Sequence, residues 1–364
     1  MMGIRLLELN GSPFEMGYAH GEAFREDIRE YAEERVRLSG EEAWTGRRLS
    51  SQEVLSLGEA CLHEHRTYAP DLVEELSGLA QATGLSPSEL IIVGGFTDFI
   101  DTVYNAGVDA PKAASPAGAD NCTAFIVPDH RAESGRGFFG QTWDMHASST
   151  KHVVLLRGKP RNAPAFLAFT TVGCLGMIGM NEAGIAVGIN NLLGADGQVG
   201  ITWPFVVRKI LQQTDLEAAL EFLLGARLAG AHNYLLFDDR GRGYNVEAMS
   251  SRHHVTELKD APIVHTNHCL VDATHAFERW REPASQHASE KRLIRGRELL
   301  AKDQVTVEDL QELTRDRDTI CVTAEPPRHV ETCGAAIMRP TTGDFWAVWG
   351  LPTENEYEHF SLRS

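Results

Sequence analysis

The hydrophobic period of this chain changes in blocks, first near Cys122, and that pattern restricts the fold more than any single motif does. Up to about residue 105 the apolar positions recur at helical spacing. Residues 14–37, entered through Gly11-Ser12-Pro13, read as one long surface helix, and 51–68 and 70–83 read as two more, the latter stopped by Gly84. Ser86-Pro87-Ser88-Glu89 is a capped entry to a fourth helix that runs to about residue 101. After Cys122 the pattern becomes short β-branched and alternating runs at 123–127, 137–142, 153–156, 165–171, 175–180 and 185–190, separated by Gly, Pro and Asn turns. Two helices (203–213, 216–224), four strands (233–237, 244–249, 253–257, 263–266), two helices (289–301, 307–315) and two strands (335–339, 344–348) complete the chain. Blocks of helices and blocks of strands imply α+β layers, since a doubly wound sheet would alternate them singly. The expected architecture is two antiparallel sheets face to face with helices on both outer sides, an αββα sandwich with Cys122 at the start of a central strand. Residues 1–121 form a mainly helical part and 122–364 the layered part of one structural domain.

Composition narrows the function classes. Thirty-four Lys and Arg against 51 Asp and Glu give a formal charge of −17, which argues against general affinity for nucleic acid or anionic membranes. No run approaches ~18 apolar residues and the first ten residues lack a secretion signal, so a cytoplasmic protein is expected. The six cysteines include no C-x-x-C pair, so neither a disulfide framework nor a zinc site is expected.

Cys122 is the cysteine placed for chemistry. The Ala-, Pro- and Gly-rich stretch 105–119 leads into Asp120-Asn121-Cys122-Thr123, and a buried strand follows at once. Cutting the Asn121–Cys122 bond would leave a thiol on a chain with its own free amine. A thiol near pKa ~8.5 is mostly protonated at neutral pH, and an α-amine near ~7.7–8.0 can take its proton, so one residue supplies nucleophile and base. The oxyanion formed on attack needs fixed donors. Asn190-Asn191 and Asn267, each closing an apolar run, are candidates, although strand-end asparagines are ordinarily turn residues. Asp144, in Gly140-Gln141-Thr142-Trp143-Asp144, is placed to orient the amine or a substrate ammonium, or is a solvated turn acid. In His265-Thr266-Asn267-His268 either histidine is an alternative base for an uncut Cys–His hydrolase; a metal site there lacks an acidic or Cys partner at suitable spacing. Arg292 stands in a basic run that reads as a solvated helix face or reaches a carboxylate. Residues 96–104 and 203–205 are aromatic and apolar enough to line an acyl pocket or to pack a core.

Several segments in order resemble the acyl-coenzyme A:6-aminopenicillanic acid acyltransferase family, the C45-type cysteine members of the N-terminal nucleophile hydrolases. They are Gly11-Ser12-Pro13-Phe14-Glu15-Met16-Gly17 with His20-Gly21, Asn121-Cys122-Thr123, Gly140-Gln141-Thr142-Trp143-Asp144, Gly179-Met180-Asn181-Glu182-Ala183-Gly184, Ile189-Asn190-Asn191, Val246-Glu247, His265-Thr266-Asn267-His268, Ser289-Glu290-Lys291-Arg292 and Gly350-Leu351-Pro352. The resemblance implies an αββα precursor that cuts itself before Cys122 into α and β chains that stay together. It implies Cys122 as nucleophile, Asp144 as the aspartate after the tryptophan, Asn267 as an oxyanion donor, Asn190 or Asn191 as a second polar strand-end position and Arg292 near the site. The chain departs from the family at Asn121, where glycine is common. There the Asn121 side-chain amide offers imide formation as an alternative to thioester hydrolysis. The function expected is cleavage of a linear amide of a small acylated amine or amino acid. Acyl-coenzyme A-dependent N-acyl transfer at the same site and a non-catalytic binding protein of the same fold are the alternatives. No cofactor is expected, no coenzyme A pocket is legible, and a homo-oligomer remains open.

Overall fold

The computed structural model describes residues 3–106, 122–326 and 329–363. Strand β1 (Arg5–Gly11) leads into helices α1 (Pro13–Ala23), α2 (Arg25–Ser39), α3 (Glu42–Thr45), α4 (Ser51–Tyr68), α5 (Pro70–Thr83), α6 (Pro87–Gly94) and α7 (Phe96–Asn105). Strands β2 (Thr123–Val127), β3 (Phe138–His146), β4 (Val153–Pro160), β5 (Phe166–Thr171), β6 (Ile178–Asn181) and β7 (Ile185–Asn191) follow. Then come α8 (Trp203–Leu211), α9 (Leu216–Leu224), β8 (His232–Asp238), β9 (Gly243–Ala248), β10 (His253–Glu257), β11 (Ile263–His265), α10 (Asp272–His275), α11 (Pro283–Leu299), α12 (Val307–Thr314), β12 (Val330–Arg339), β13 (Asp344–Trp349) and β14 (Glu358–Ser361).

The strands form an eight-stranded sheet, β1-β4-β5-β6-β7-β8-β9-β10, and a six-stranded sheet, β11-β2-β3-β12-β13-β14. The two face each other through β2 and β3 against β7 and β8. Helices α8 and α9 pack on β6 to β8, and α11 and α12 pack on the second sheet, so the order of layers is αββα. Strand β2 shows why the chain stacks this way. Ala124 and Ile126 join the large core between the sheets, while Phe125 and Val127 join a second core under α11 and α12. A strand buried on both faces has no polar alternation, and all five of its residues are buried. The large core runs from Ile4 and Met16 to Ala347, so the N-terminal helices and the sandwich share one interior.

Three expectations need correction. Residues 14–37 are two helices, because Phe24 leaves helical geometry (φ −132°, ψ 31°) as its ring packs edge-on against His20 and beneath the Arg5 guanidinium. Gly17 lies within α1 and marks a close crossing: a Cβ there would stand 1.8 Å from the Glu75 carbonyl oxygen. The fourth helix likewise breaks at Gly95 into α6 and α7, where a Cβ would meet Thr202 at 2.5 Å. Finally, the sheets are not wholly antiparallel, since β1 pairs parallel with β4 from Arg5↔Val154 to Gly11↔Pro160. The capped entry at Ser86 is present: Ser86 Oγ accepts from Glu89 N at 3.3 Å and Glu89 Oε2 accepts from Ser86 N at 2.7 Å. No helix of the described residues is long and apolar enough to cross a membrane.

Candidate active site

Cys122 immediately precedes β2, between β11 and β3, and is buried at 2% exposure. Its thiol faces the Asp144 carbonyl oxygen at 3.9 Å, and its own carbonyl accepts from Arg292 Nη1 at 2.6 Å. Thr123 N donates to Thr142 Oγ1 at 3.1 Å, which locks the first residue of the strand against β3. Asn121 lies outside the described residues, so the expected scissile bond is described from its Cys122 side alone.

Arg292 is not on a solvated face. It projects from α11 into the second sheet, 2% exposed, and joins two of the predicted residues: Nη1 meets Cys122 O, and Nη2 donates to Asn267 Oδ1 at 3.0 Å. Held from that side, the Asn267 side chain directs its Nδ2 at the Asn191 carbonyl, 3.1 Å away. Its backbone is held too, because Asn267 N donates to Ser289 Oγ at 3.0 Å and Arg281 Nη2 donates to Asn267 O. A neutral amide whose oxygen is occupied by a guanidinium can present only its N–H groups, which is what an oxyanion requires.

Strand alternation separates the adjacent asparagines. Ile189 and Asn191 line a cavity with Cys122, while Asn190 shares the face of β7 that Gly188 presents to Gln141 and Phe139 of β3, and its Oδ1 accepts from Asn233 Nδ2 at 3.5 Å. The same rule places Asp144. Trp143 and Met145 line the cavity, so the Asp144 side chain is on the opposite face of β3; it is fully buried, not a solvated turn acid. Beside these residues the cavity is walled by Phe96, Thr97 and Trp203 from the two aromatic segments singled out in the sequence, and by Tyr31 and Arg35 of α2. It encloses about 20 Å³, room for one water, so an organic substrate must widen it.

The histidines are turned elsewhere. His265 meets Glu247 Oε1 through Nε2 at 3.0 Å and the Thr266 carbonyl through Nδ1 at 2.8 Å, and His268 Nδ1 meets Ser289 Oγ at 2.8 Å. Burial, reinforced by the neighbouring His265 and Arg281, holds the His268 imidazole down to a pKa of about 4. Neither is among the described residues that wall the Cys122 cavity.

Two acids of α7 fix the wall opposite. Asp98 Oδ2 accepts from Trp203 N at 3.0 Å, and Asp101 Oδ2 accepts from Gly194 N and Ala231 N, both at 3.0 Å. Burial pushes Asp101 up to about 7, partly opposed by Arg279 and those two amides. An acid whose folded pKa lies above its unfolded value supports the fold below about pH 4 and loses that support as pH rises through 7. Asp101→Asn, which keeps an acceptor but no proton to lose, is therefore expected to gain about 2 kcal/mol relative to wild type between pH 5 and pH 7. Urea denaturation of both proteins at the two pH values measures it; an unchanged difference would mean that Asp101 does not titrate in that window.

Sequence reading missed Arg35, Ser289 and Thr142. Thr142 and Ser289 stand in quoted segments without a role assigned to them, and Arg35 left a different trace, since Ile28, Tyr31, Ala32, Arg35 and Ser39 share the buried face of α2 and an arginine at such a position is out of place.

The sequence model of the acyl-coenzyme A:6-aminopenicillanic acid acyl-transferase family matches residues 130–354, well over half the chain and starting downstream of Cys122. This chain belongs to that family. As a family member it is an enzyme, placed by the family's description with the acyltransferases. It is 25% identical over 266 residues to the acyl-coenzyme A:6-aminopenicillanic-acid-acyltransferase 40 kDa form of Emericella nidulans, covering 72% of this chain and 68% of that protein. It is also 25% identical over 264 residues to an uncharacterized protein of Archaeoglobus fulgidus, covering 66% of this chain but only 42% of the other. Among solved structures, a mutant of the conjugated bile acid hydrolase from Clostridium perfringens aligns with TM-score 0.47 at 14% identity, over 66% of this chain and 92% of that one. Penicillin V acylase from Agrobacterium tumefaciens aligns with TM-score 0.37 at 9% identity, over 68% and 80%.

Proposed function

We propose that this family member is a self-processing cysteine amidohydrolase that cleaves a linear amide of a small acylated amine or amino acid. The observation that carries the reading is the Arg292 guanidinium, which ties the Cys122 carbonyl to the Asn267 side chain and so holds a thiol and an amide donor in one arrangement. In the proposed sequence, Cys122 attacks the Asn121 carbonyl, the acyl group moves from nitrogen to sulfur, and water hydrolyses the thioester. The chain is thereby divided into 1–121 and 122–364, both remaining within one folded unit. The freed amine then takes the thiol proton, the thiolate attacks the substrate carbonyl, and Asn267 Nδ2 turns from the Asn191 carbonyl to the oxyanion. Each such donor contributes roughly 3–4 kcal/mol to the barrier in comparable sites. The leaving amine takes a proton, water attacks the thioester, and the carboxylic acid departs. Asp144, whose carbonyl meets the thiol and whose side chain lies on the far face, orients the Cys122 backbone and not the substrate. Asn191, which lines the cavity, and Asn190, on the face of β7 that meets the Cys122-bearing sheet, are the two candidates for the second polar group.

Hydrolysis is favoured over acyl transfer because water requires no second binding site. The test is intact mass before and after brief exposure to a chromogenic amide. Two fragments meeting between residues 121 and 122, with a transient acyl adduct on the Cys122 fragment, are expected. A single uncut chain that still acylates at Cys122 would refute the amine mechanism, and no adduct at all would refute the nucleophile. An imide at residue 121 would leave the first fragment about 18 Da lighter than the free acid, a difference set by one water.

A further inference from the structure

A buried cation lies in the cavity wall with most of its donors unused. Arg35 of α2 is 0% exposed and, like Cys122, lines the cavity. Its Nη2 donates to Glu34 Oε2 at 2.9 Å and to Ser148 Oγ at 3.4 Å. The Nε hydrogen and both hydrogens on Nη1 have no hydrogen-bond partner among the described residues. Two aromatic rings hold the group, with the guanidinium carbon 4.7 Å from the centre of the Tyr31 ring and 4.7 Å from that of Phe96.

The fold alone does not account for this. Glu34 balances the charge from the solvent side, and cation–π contact offsets part of the desolvation, but buried N–H groups left unpaired are costly and uncommon in native interiors. Two other deeply buried arginines give protein acceptors to both of their Nη atoms: Arg208 is bidentate to Glu75, and Arg292 holds Cys122 and Asn267. Arg35 instead keeps a rigid, ring-held donor set on the wall it shares with the thiol. Guanidinium donors fixed in this way match a carboxylate.

We infer that Arg35 is the substrate anchor, and that the amide cleaved at Cys122 carries a carboxylate, on either its acyl or its amine half. The inference deepens the amidohydrolase reading and rests on Cys122 being the reacting thiol of that cavity, but its test does not need turnover. Iodoacetate and iodoacetamide have nearly the same size and the same chemistry, with the thiolate sulfur displacing iodide, yet only the first carries a carboxylate. Their alkylation rates at Cys122 are read by peptide mass and divided by the corresponding rates for N-acetylcysteine. In wild type the corrected iodoacetate:iodoacetamide ratio is expected to be at least tenfold above one. Arg35→Gln should bring the ratio to near one while the iodoacetamide rate changes less than threefold, and Arg35→Lys should restore part of it. A change in thiol ionisation or packing would move both reagents together, so the ratio isolates anion recognition. A ratio near one in wild type, or one that survives Arg35→Gln, overturns the anchor, as does a Cys122 that neither reagent reaches. Loss of amide cleavage alongside a preserved ratio would overturn the amidohydrolase reading and leave the anchor standing. With turnover, succinyl p-nitroanilide against its terminal carboxamide, and N-phenylacetylglycine against N-phenylacetylglycinamide, tell which half carries the charge. The favoured pair should differ at least 30-fold in kcat/KM, chiefly through KM, and Arg35→Gln should erase that difference.

Discussion

Cys122→Ala is expected to lower amide turnover by at least 10⁴-fold and to leave a single chain of full length. One atom is removed, but in the proposed mechanism that sulfur is the nucleophile of both self-cleavage and substrate attack, so no partial rate survives through it. Cys122→Ser separates the two steps. A hydroxyl is a far weaker nucleophile near neutral pH, and slow division of the chain with turnover reduced roughly 10³-fold is expected. The fold should tolerate either change, because the side chain borders a cavity and the thiol meets the Asp144 carbonyl only at a long 3.9 Å. Removing it should cost about 1 kcal/mol. Kinetics with a chromogenic amide, intact mass and thermal melting on the same preparations decide the matter. An alanine variant that divides or turns over as wild type does would assign the chemistry to another group.

The second large effect concerns stability. Glu75 of α5 and Arg208 of α8 are each 2% exposed and meet through two bonds, Nη1 to Oε1 and Nη2 to Oε2, both at 2.9 Å. Arg208 also donates to the Leu175 carbonyl at 2.8 Å and stacks over Phe166, with its guanidinium carbon 4.1 Å from the ring centre. Glu75→Ala would leave a guanidinium buried without its counter-charge, which costs about 3–5 kcal/mol, a large part of the roughly 5–15 kcal/mol by which domains are typically stable. Glu75→Gln, which keeps an acceptor but not the charge, should lose less. Adding Arg208→Met to Glu75→Ala should recover part of the loss, since the orphaned charge is then gone. The pair joins residues on either side of the proposed cut, so in a divided protein Glu75→Ala should also hasten separation of the chains. Urea unfolding and size-exclusion chromatography of the divided protein read these effects; a loss below about 1 kcal/mol would show that water replaces Glu75.

The placement of Cys122 was legible because it depends on local chemistry: a β-branched, aromatic run begins immediately after it, and such runs form strands in most contexts. Helix entries were legible for the same reason, as at Ser86, where the cap lies within four residues. Less local features were not. β1 pairs with β4 from Arg5↔Val154 onward, far apart in the chain, and its Arg5–Gly11 sequence carries no signal that a parallel partner exists. The break at Phe24 comes from contacts with His20 and Arg5, not from a helix-breaking residue.

By itself, the sequence determined the α+β class, the seam at Cys122 and the set of polar residues from which a site could be assembled. These follow from propensity and periodicity, which act over a few residues. Only the tertiary structure decided which members of that set meet. It set Asn191 in the cavity wall and Asn190 toward the facing sheet, because a strand alternates faces and the sequence does not say which face meets which layer. It buried Arg292 between Cys122 and Asn267, and it set Arg35 against two rings with donors to spare, because a helix from one part of the chain was packed against a strand from another.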